Sequence, residues 1–261
     1  MKTKIMGILN INSDSFFEGS RTAVNEAENK IIQMINDGAD MIDIGALSSR
    51  PGSKTIGDEE ELERVRAVLD IVKKNRFYEK AIFSLDSYSP LCLDYALNCG
   101  FRIINDITGL SNDDVCLTAK KHNASVCIMH MKGEPKNMQA NPEYDDVVKE
   151  VGDFFKERIE KAKSFGIEDI ILDVGIGFGK NLEHNIALIK NHSHFLHFGY
   201  PLLIGASRKS MIDGISPSCI GERLPGTLSI HIEAVRNGAS IVRCHDVKEH
   251  VQALRVFEAI Q

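Results

Sequence analysis

The chain has 261 residues, 43% of them hydrophobic and 26% charged, which is ordinary globular composition with enough material for one large core or two small ones. A net charge of -6 gives no ground for nucleic acid or an anionic membrane as a bulk partner, though a locally basic pocket could still take a small anion. The six cysteines, at 92, 99, 116, 127, 219 and 244, include no C-x-x-C pair, so reduced, mostly buried thiols in a cytoplasmic protein are expected rather than disulfides or zinc.

In chain order, the first apolar run, "KIMGILN", stops at Asn10 with no small-residue cleavage pattern behind it. It reads as a strand and not as a secretory leader. Seven more strand candidates follow: "DMIDIG", "AIFSLD", "FRIIND", "SVCIMH", "DIILD", "PLLIGAS" and "SIVRCH". Most are apolar on consecutive positions, as in strands covered on both faces. Helical spacing separates them. Leu62, Val65, Val68, Leu69 and Val72 recur at three- and four-residue steps between Glu59 and Lys74. Val147, Val151, Phe154, Phe155, Ile159 and Ala162 do so between Tyr144 and Phe165. Gly38, Gly100, Gly166 and Gly238 each follow a helical stretch and are expected to end it. No run reaches the roughly 18 apolar residues of a membrane helix.

Eight strand–helix units fit the roughly 250 residues of a (β/α)8 TIM barrel. An open doubly wound sheet is the alternative, but eight units without a break favour closure, giving one domain over 1–261. The longer loops, 12–23, 46–57, 130–143 and 206–222, all follow strands, on the side where a barrel builds its active site. The strands end at Asn10, Asp43, Asp86, Asn105, His130, Asp173, Ser207 and His245. Any one of these could simply cap a helix. Eight together read as the lining of one polar pocket.

Arg50, Arg208, Lys209, Arg243 and His245 would bring cations or donors to it, and Asp43, Asp86 and Asp173 acceptors. In "RCHDVKEHV", Arg243 and His245 precede Asp246, the expected N-cap of the last helix, which suits a phosphate or diphosphate. Asp86, Asn105 and Asp173 could accept from a planar pair of N–H donors, such as a 2-amino-pyrimidinone edge. There is no H-E-x-x-H and no G-x-S-x-G, so a zinc hydrolase or a serine hydrolase is poorly supported.

The segments "GILNINSDSF", "DIGALSSRPGS", "SLDSY", "IINDITG", "IMHMKGEPKNMQ", "ILDVGIGFGK", "LLIGASRKS" and "VRCHDV" resemble, in order, the signatures of the dihydropteroate synthase family, over residues 5–247. The resemblance implies a (β/α)8 fold. It implies condensation of 6-hydroxymethyl-7,8-dihydropterin diphosphate with 4-aminobenzoate, and Mg2+ as cofactor. By the same match Asp86, Asn105, Asp173 and Lys209 would bind the pterin. Asn10, Arg50, Arg243 and His245 would hold the diphosphate, Asn10 also the metal. Phe16, Ser49, Pro51, Phe178 and Ser207 would line the site for 4-aminobenzoate and for sulfonamides. Asp43, Arg50, Asp86, Lys209, Arg243 and His245 form the implied catalytic set. A homodimer is implied too, with the helix "GTLSIHIEAVRNG" as one candidate interface, although a core-facing stripe explains that pattern equally well. The first two long loops would close over the bound pterin.

Departures from the family pattern crowd into those loops. Asn12-Ser13 stands where Thr-Pro is common, Ser20 replaces a glycine, and Ser49 stands where Thr is common. Val174 replaces a proline. The pattern predicts retained pterin binding and altered 4-aminobenzoate or sulfonamide affinity. In "DVGIGFGKN" the spacing is G-x-G-x-G, not that of a dinucleotide or Walker loop. Its glycines are expected to let backbone approach a flat ring, and Lys180 to be solvated. Two rivals remain: a methyltetrahydrofolate-dependent corrinoid methyltransferase, which has no need of "SRK" plus "RxH", and a catalytically silent paralogue serving as a binding module.

Overall fold

The computed structural model describes residues 2–11, 21–45 and 57–261, with the backbone alone at 21–23. Arg50, Phe16, Ser49 and Pro51, and the loops that carry them, lie outside the described residues.

The strands are β1 (Lys4–Asn10), β2 (Met41–Gly45), β3 (Ile82–Asp86), β4 (Ile103–Asp106), β5 (Ser125–Met129), β6 (Ile170–Asp173), β7 (Leu202–Ile204) and β8 (Ile241–Cys244). They pair in parallel and in sequence order, and β8 returns to β1, closing the barrel. Helices alternate with them: α1 (Arg21–Asp37), α2 (Asp58–Lys74), α3 (Pro90–Asn98), α4 (Asp113–His122), α5 (Val147–Ser164), α6 (Leu182–Lys190), α7 (Ser210–Ile215), α8 (Leu224–Arg236) and α9 (Val247–Ala259). The expected (β/α)8 barrel is the observed fold. The four glycines expected to end helices all adopt positive φ, from +74° at Gly166 to +99° at Gly38.

Strand parity explains the consecutive apolar runs. Side chains alternate between barrel interior and helix layer. Ile42, Ile44, Phe83, Leu85, Val126, Ile128 and Leu172 point outward into the apolar layer beneath the helices. Met6, Met41, Ile103, Cys127, Ile171, Leu203 and Ile241 form a separate inner cluster, the floor of the barrel. Two residues further along, the same inward parity reaches Asp43, Asn105, Asp173 and Arg243. The polar layer therefore rests on an apolar plug.

Two expectations need correction, and the place of Val174 is now seen. Asp43 does not end its strand: β2 runs on to Gly45, and Asp43 is fully buried inside the barrel. The helix expected from Tyr144 begins at Val147, because the Asp146 carboxylate accepts from the Val148 and Lys149 amides, both at 3.0 Å. Tyr144 is left in the loop, where its hydroxyl donates to the Gly179 carbonyl at 2.8 Å. Val174, in place of the proline, is fully buried in the outer apolar layer.

Candidate active site

Arg243 stands at the centre of the inward polar layer. Its Nε donates to Asp43 Oδ2 at 2.7 Å, and its Nη2 lies 2.6 Å from the same oxygen and 3.0 Å from Asp86 Oδ2. Asn105 Nδ2 donates to Asp43 Oδ2 at 3.0 Å. Four strands thus meet on one carboxylate network. Burial opposes the charge on Arg243, but Asp43 and Asp86 outweigh it and hold its pKa above the usual value. Burial pushes Asp86 up to about 7 against the pull of Arg243, with Asp43 adding to the rise. Gly45 leaves the room for this pairing, since a Cβ there would stand 3.3 Å from Asp86 Cβ.

The second group lies at the ends of β6 and β7. Asp173 Oδ1 accepts from the Gly175 amide at 2.8 Å. Burial raises the Asp173 pKa, and Lys209 opposes the rise. Lys209 is drawn down to about 8 by burial, with Asp173 opposing. The Lys209 ammonium donates to the Ile176 carbonyl and lies 4.5 Å from the centre of the Phe178 ring. Asp173, Lys209 and Phe178 therefore form one wall.

A third group joins β7 to β8. Ser207 Oγ lies 2.9 Å from His245 Nδ1 and accepts from the His245 amide at 3.2 Å. Ser207 is thereby tied to His245. Arg208 does not enter the pocket. Its Nε and Nη2 donate to the two carboxylate oxygens of Asp246, at 3.0 and 2.6 Å. Asp246 holds the N-cap position of α9 but makes no side-chain cap bond. Asn10 ends β1 exposed at the mouth, and its side chain makes no hydrogen bond among the described residues.

Lys180 overturns its expectation most directly. It is 2% exposed, not solvated. Its Nζ donates to His130 Nδ1 at 2.9 Å and to the carbonyls of Phe178, Gly175 and His130 at 2.9, 3.0 and 3.2 Å. Burial and the neighbouring Lys180 push His130 down to about 2, so its ring is neutral and its Nδ1 free to accept. Burial lowers Lys180 to about 7. The glycines have a role that ring contact does not capture. A Cβ on Gly175 would stand 1.9 Å from the His130 carbonyl oxygen, and one on Gly179 would stand 2.1 Å from that of Lys132. These two glycines let the β6 loop lie against the backbone of the β5 loop. Gly177 instead faces Lys209 Cδ, at 3.3 Å.

His130 was visible in the sequence as a strand end, but its lysine partner was not. Asn185, which accepts from the Gly177 amide at 2.7 Å, was missed as well. A lysine between a glycine and a capping asparagine carries no mark of burial, so no sequence signal distinguished it.

The sequence pattern of the family described as "Pterin binding enzyme" matches residues 6–245. The dihydropteroate synthase of Escherichia coli is 43% identical over 98% of this chain and 90% of its own length. The crystal structure of the Yersinia pestis dihydropteroate synthase with a sulfonamide drug complex superposes with a TM-score of 0.92 at 38% identity, covering 99% of this chain and 94% of that one. The Xanthomonas albilineans dihydropteroate synthase with 4-aminobenzoic acid gives 0.91 at 34% identity, covering 100% and 93%. Such matches run the length of the barrel and take in every strand that carries a polar inward residue, so the chain belongs to the dihydropteroate synthase family of pterin-binding enzymes.

Proposed function

We propose that the chain joins 4-aminobenzoate to 6-hydroxymethyl-7,8-dihydropterin diphosphate, giving 7,8-dihydropteroate and diphosphate. The observation that carries this reading is the inward layer of Asp43, Asp86, Asn105 and Arg243 seated on an apolar floor. A flat heterocycle with a donor edge fits such a layer. Asp173, on the same inward parity as Asn105, accepts from that edge, and Lys209 holds the ring from the Phe178 side. Arg243 and His245, with the first amides of α9, receive the diphosphate.

In the reaction the C–O bond between the pterin methylene and the diphosphate breaks, and the electron pair leaves on oxygen. The pterin ring delocalises the positive charge left on the methylene carbon. The neutral arylamine nitrogen forms the new C–N bond, and its proton passes to solvent. Positioning matters here more than a strong base, and no covalent enzyme intermediate is needed. Phe178 lines the arylamine side.

Mg2+ fits the mouth of the site. The exposed amide of Asn10 offers one oxygen, and magnesium takes few protein oxygens beside phosphate and water. Asn10 would hold the ion together with the diphosphate, and the ion would offset charge on the leaving group. The protein is proposed to work as a cytoplasmic homodimer. No helix among the described residues is long and apolar enough to cross a membrane.

The test is purified protein with the dihydropterin diphosphate, 4-aminobenzoate and Mg2+. Dihydropteroate and diphosphate should appear in equal amounts. Lys209→Ala and Asp173→Ala should each abolish turnover while the protein stays folded. Turnover surviving both changes overturns the site assignment. A methyl-group transfer to a corrinoid, or no turnover at all, would favour the rival readings.

A further inference from the structure

Behind the Ser207–His245 contact lies a pair of histidines, His231 on α8 and His250 on α9, each 1% exposed. The Ala206 amide donates to His231 Nε2 at 3.0 Å. An amide can only donate, so that nitrogen carries a lone pair and the proton of the neutral ring sits on Nδ1. His231 Nδ1 stands 2.8 Å from His250 Nε2, which must then accept. This leaves the His250 proton on Nδ1, 2.6 Å from the Asp246 carbonyl oxygen, which accepts it. One arrangement of protons satisfies all three bonds. Burial keeps both rings neutral, the effect on His231 being the larger, and on His231 the neighbouring His250 adds to it.

The chain therefore closes a loop. Ala206 directly precedes Ser207, and Asp246 directly follows His245. The two histidines join the backbone atoms on the far side of the same pair that meets in the site. Helix α8 does more than supply His231. One turn earlier on the same face, Thr227 Oγ1 accepts from the Arg208 amide at 2.9 Å. Arg208 holds a left-handed φ of +57°, which a non-glycine residue adopts only when its surroundings enforce it. Helix α8 thus fixes the amides on either side of Ser207, and His250 ties that arrangement to the start of α9.

We propose that His231 and His250 are positioning residues for the anion end of the substrate, a buried clasp that holds the β7 loop against the β8 loop so that His245, braced by Ser207, meets the diphosphate. The proposal rests on the synthase reading for the identity of that anion. A clasp at this place acts more on the diphosphate than on the ring pocket, where Lys209 of the same loop keeps its own hold on the Ile176 carbonyl.

The experiment measures binding of inorganic diphosphate with Mg2+, binding of dihydropteroate, and steady-state constants for both substrates, in wild type, His231→Leu, His231→Gln and His250→Leu. His231→Leu should weaken diphosphate and raise the KM of the dihydropterin diphosphate about tenfold, the scale of an amide left without its partner. Dihydropteroate affinity should stay within about twofold of wild type, roughly the margin for sites that share no partner. His231→Gln, whose side-chain oxygen can still accept from Ala206, should recover most of the loss. A further variant carrying both His231→Leu and His250→Leu should be no worse than the poorer single one.

Losses shared equally by all ligands, or unchanged diphosphate affinity in the leucine variants, overturn the clasp. Wild-type protein that fails to bind diphosphate or to turn over sinks the synthase reading instead. If the leucine variants do not fold, histidine-selective 15N labelling of wild type decides. Both rings should read as neutral Nδ1–H tautomers, and both signals should shift on adding diphosphate. The opposite tautomers, or signals that do not respond, overturn the proposal.

Discussion

Lys180 Nζ donates to His130 Nδ1 at 2.9 Å inside the protein, and the same ammonium holds three backbone carbonyls of the β5 and β6 loops. A buried cation with four acceptors works as a staple between two loops. Lys180→Met should keep the volume and leave His130 Nδ1 and the His130 and Phe178 carbonyls without their donor, while the Gly175 carbonyl keeps the Phe178 amide. We expect it to cost about 3 kcal/mol of folding stability by urea denaturation, in the range for leaving buried polar groups unpaired. Loss of catalytic efficiency should accompany it, because the loop it fixes carries Asp173 and Phe178. A stability change below about 1 kcal/mol would count against the staple.

The glycines of the same loop separate fold from function. At Gly175 a Cβ meets a backbone oxygen that cannot move aside, and φ is +67°. Gly175→Ala should leave little soluble folded protein, and Gly179→Ala should behave alike. At Gly177 the neighbour is the flexible Lys209 side chain. Gly177→Ala should fold, losing about 1 kcal/mol to the left-handed backbone, yet turn over poorly because Lys209 is displaced. Soluble yield and thermal melts read the first effect, and kcat/KM the second.

Asp43 anchors the site from beneath. Its Oδ2 takes both Arg243 and Asn105, and the residue is fully buried. Asp43→Ala leaves the Arg243 guanidinium with Asp86 alone and takes the acceptor from Asn105 Nδ2, a loss of about 1–3 kcal/mol. Denaturant melts should show it, with turnover lost at any pH where the variant remains folded.

Buried acids give a pH signature. Burial pushes Glu61, on the first turn of α2, up to about 7, with Ser87 opposing. A carboxyl with a raised folded pKa contributes stability that is fully present below its unfolded value. That contribution is lost as pH rises through about 7. Asp86 acts in the same direction. Glu61→Gln should therefore gain up to about 3 kcal/mol over wild type at pH 8 and little at pH 4.5. Equal differences at both pH values in urea melts would contradict this.

Sulfonamide inhibition tests the loop departures at Asn12, Ser13 and Ser49. The expected outcome is an inhibition constant different from that of a family member with the common loop sequence, with similar KM for the dihydropterin diphosphate. Equal inhibition constants would sink the altered-affinity expectation.

The fold was legible because strands buried on both faces leave a consecutive apolar signature, and eight of them leave few architectures. Asp86, Asn105 and Asp173 were legible because a charge or amide at or near the end of such a run has nowhere to go but a pocket, and Arg243 because it stands with His245 just before a helix. Asp43 was found but misplaced, since a carboxylate inside a strand looks like its end. Lys180 was misread because charge alone marks a residue as solvated, and all but one of its acceptors are backbone carbonyls that leave no trace in composition. His231 and His250 lie 19 positions apart on two helices, and only the packing of α8 beside α9 brings their rings together.

The apolar floor also sets the traffic. Met6, Met41, Ile103, Cys127, Ile171, Leu203 and Ile241 are each no more than 6% exposed and close the barrel from below. Among the described residues a molecule resting on Asp43 and Arg243 finds no way out through the floor, and its reaction partner arrives from the same open end. Under the proposed chemistry the heterocycle must enter first and its product must back out whole. An arylamine that arrives early corks the mouth, so excess 4-aminobenzoate should slow the enzyme rather than saturate it.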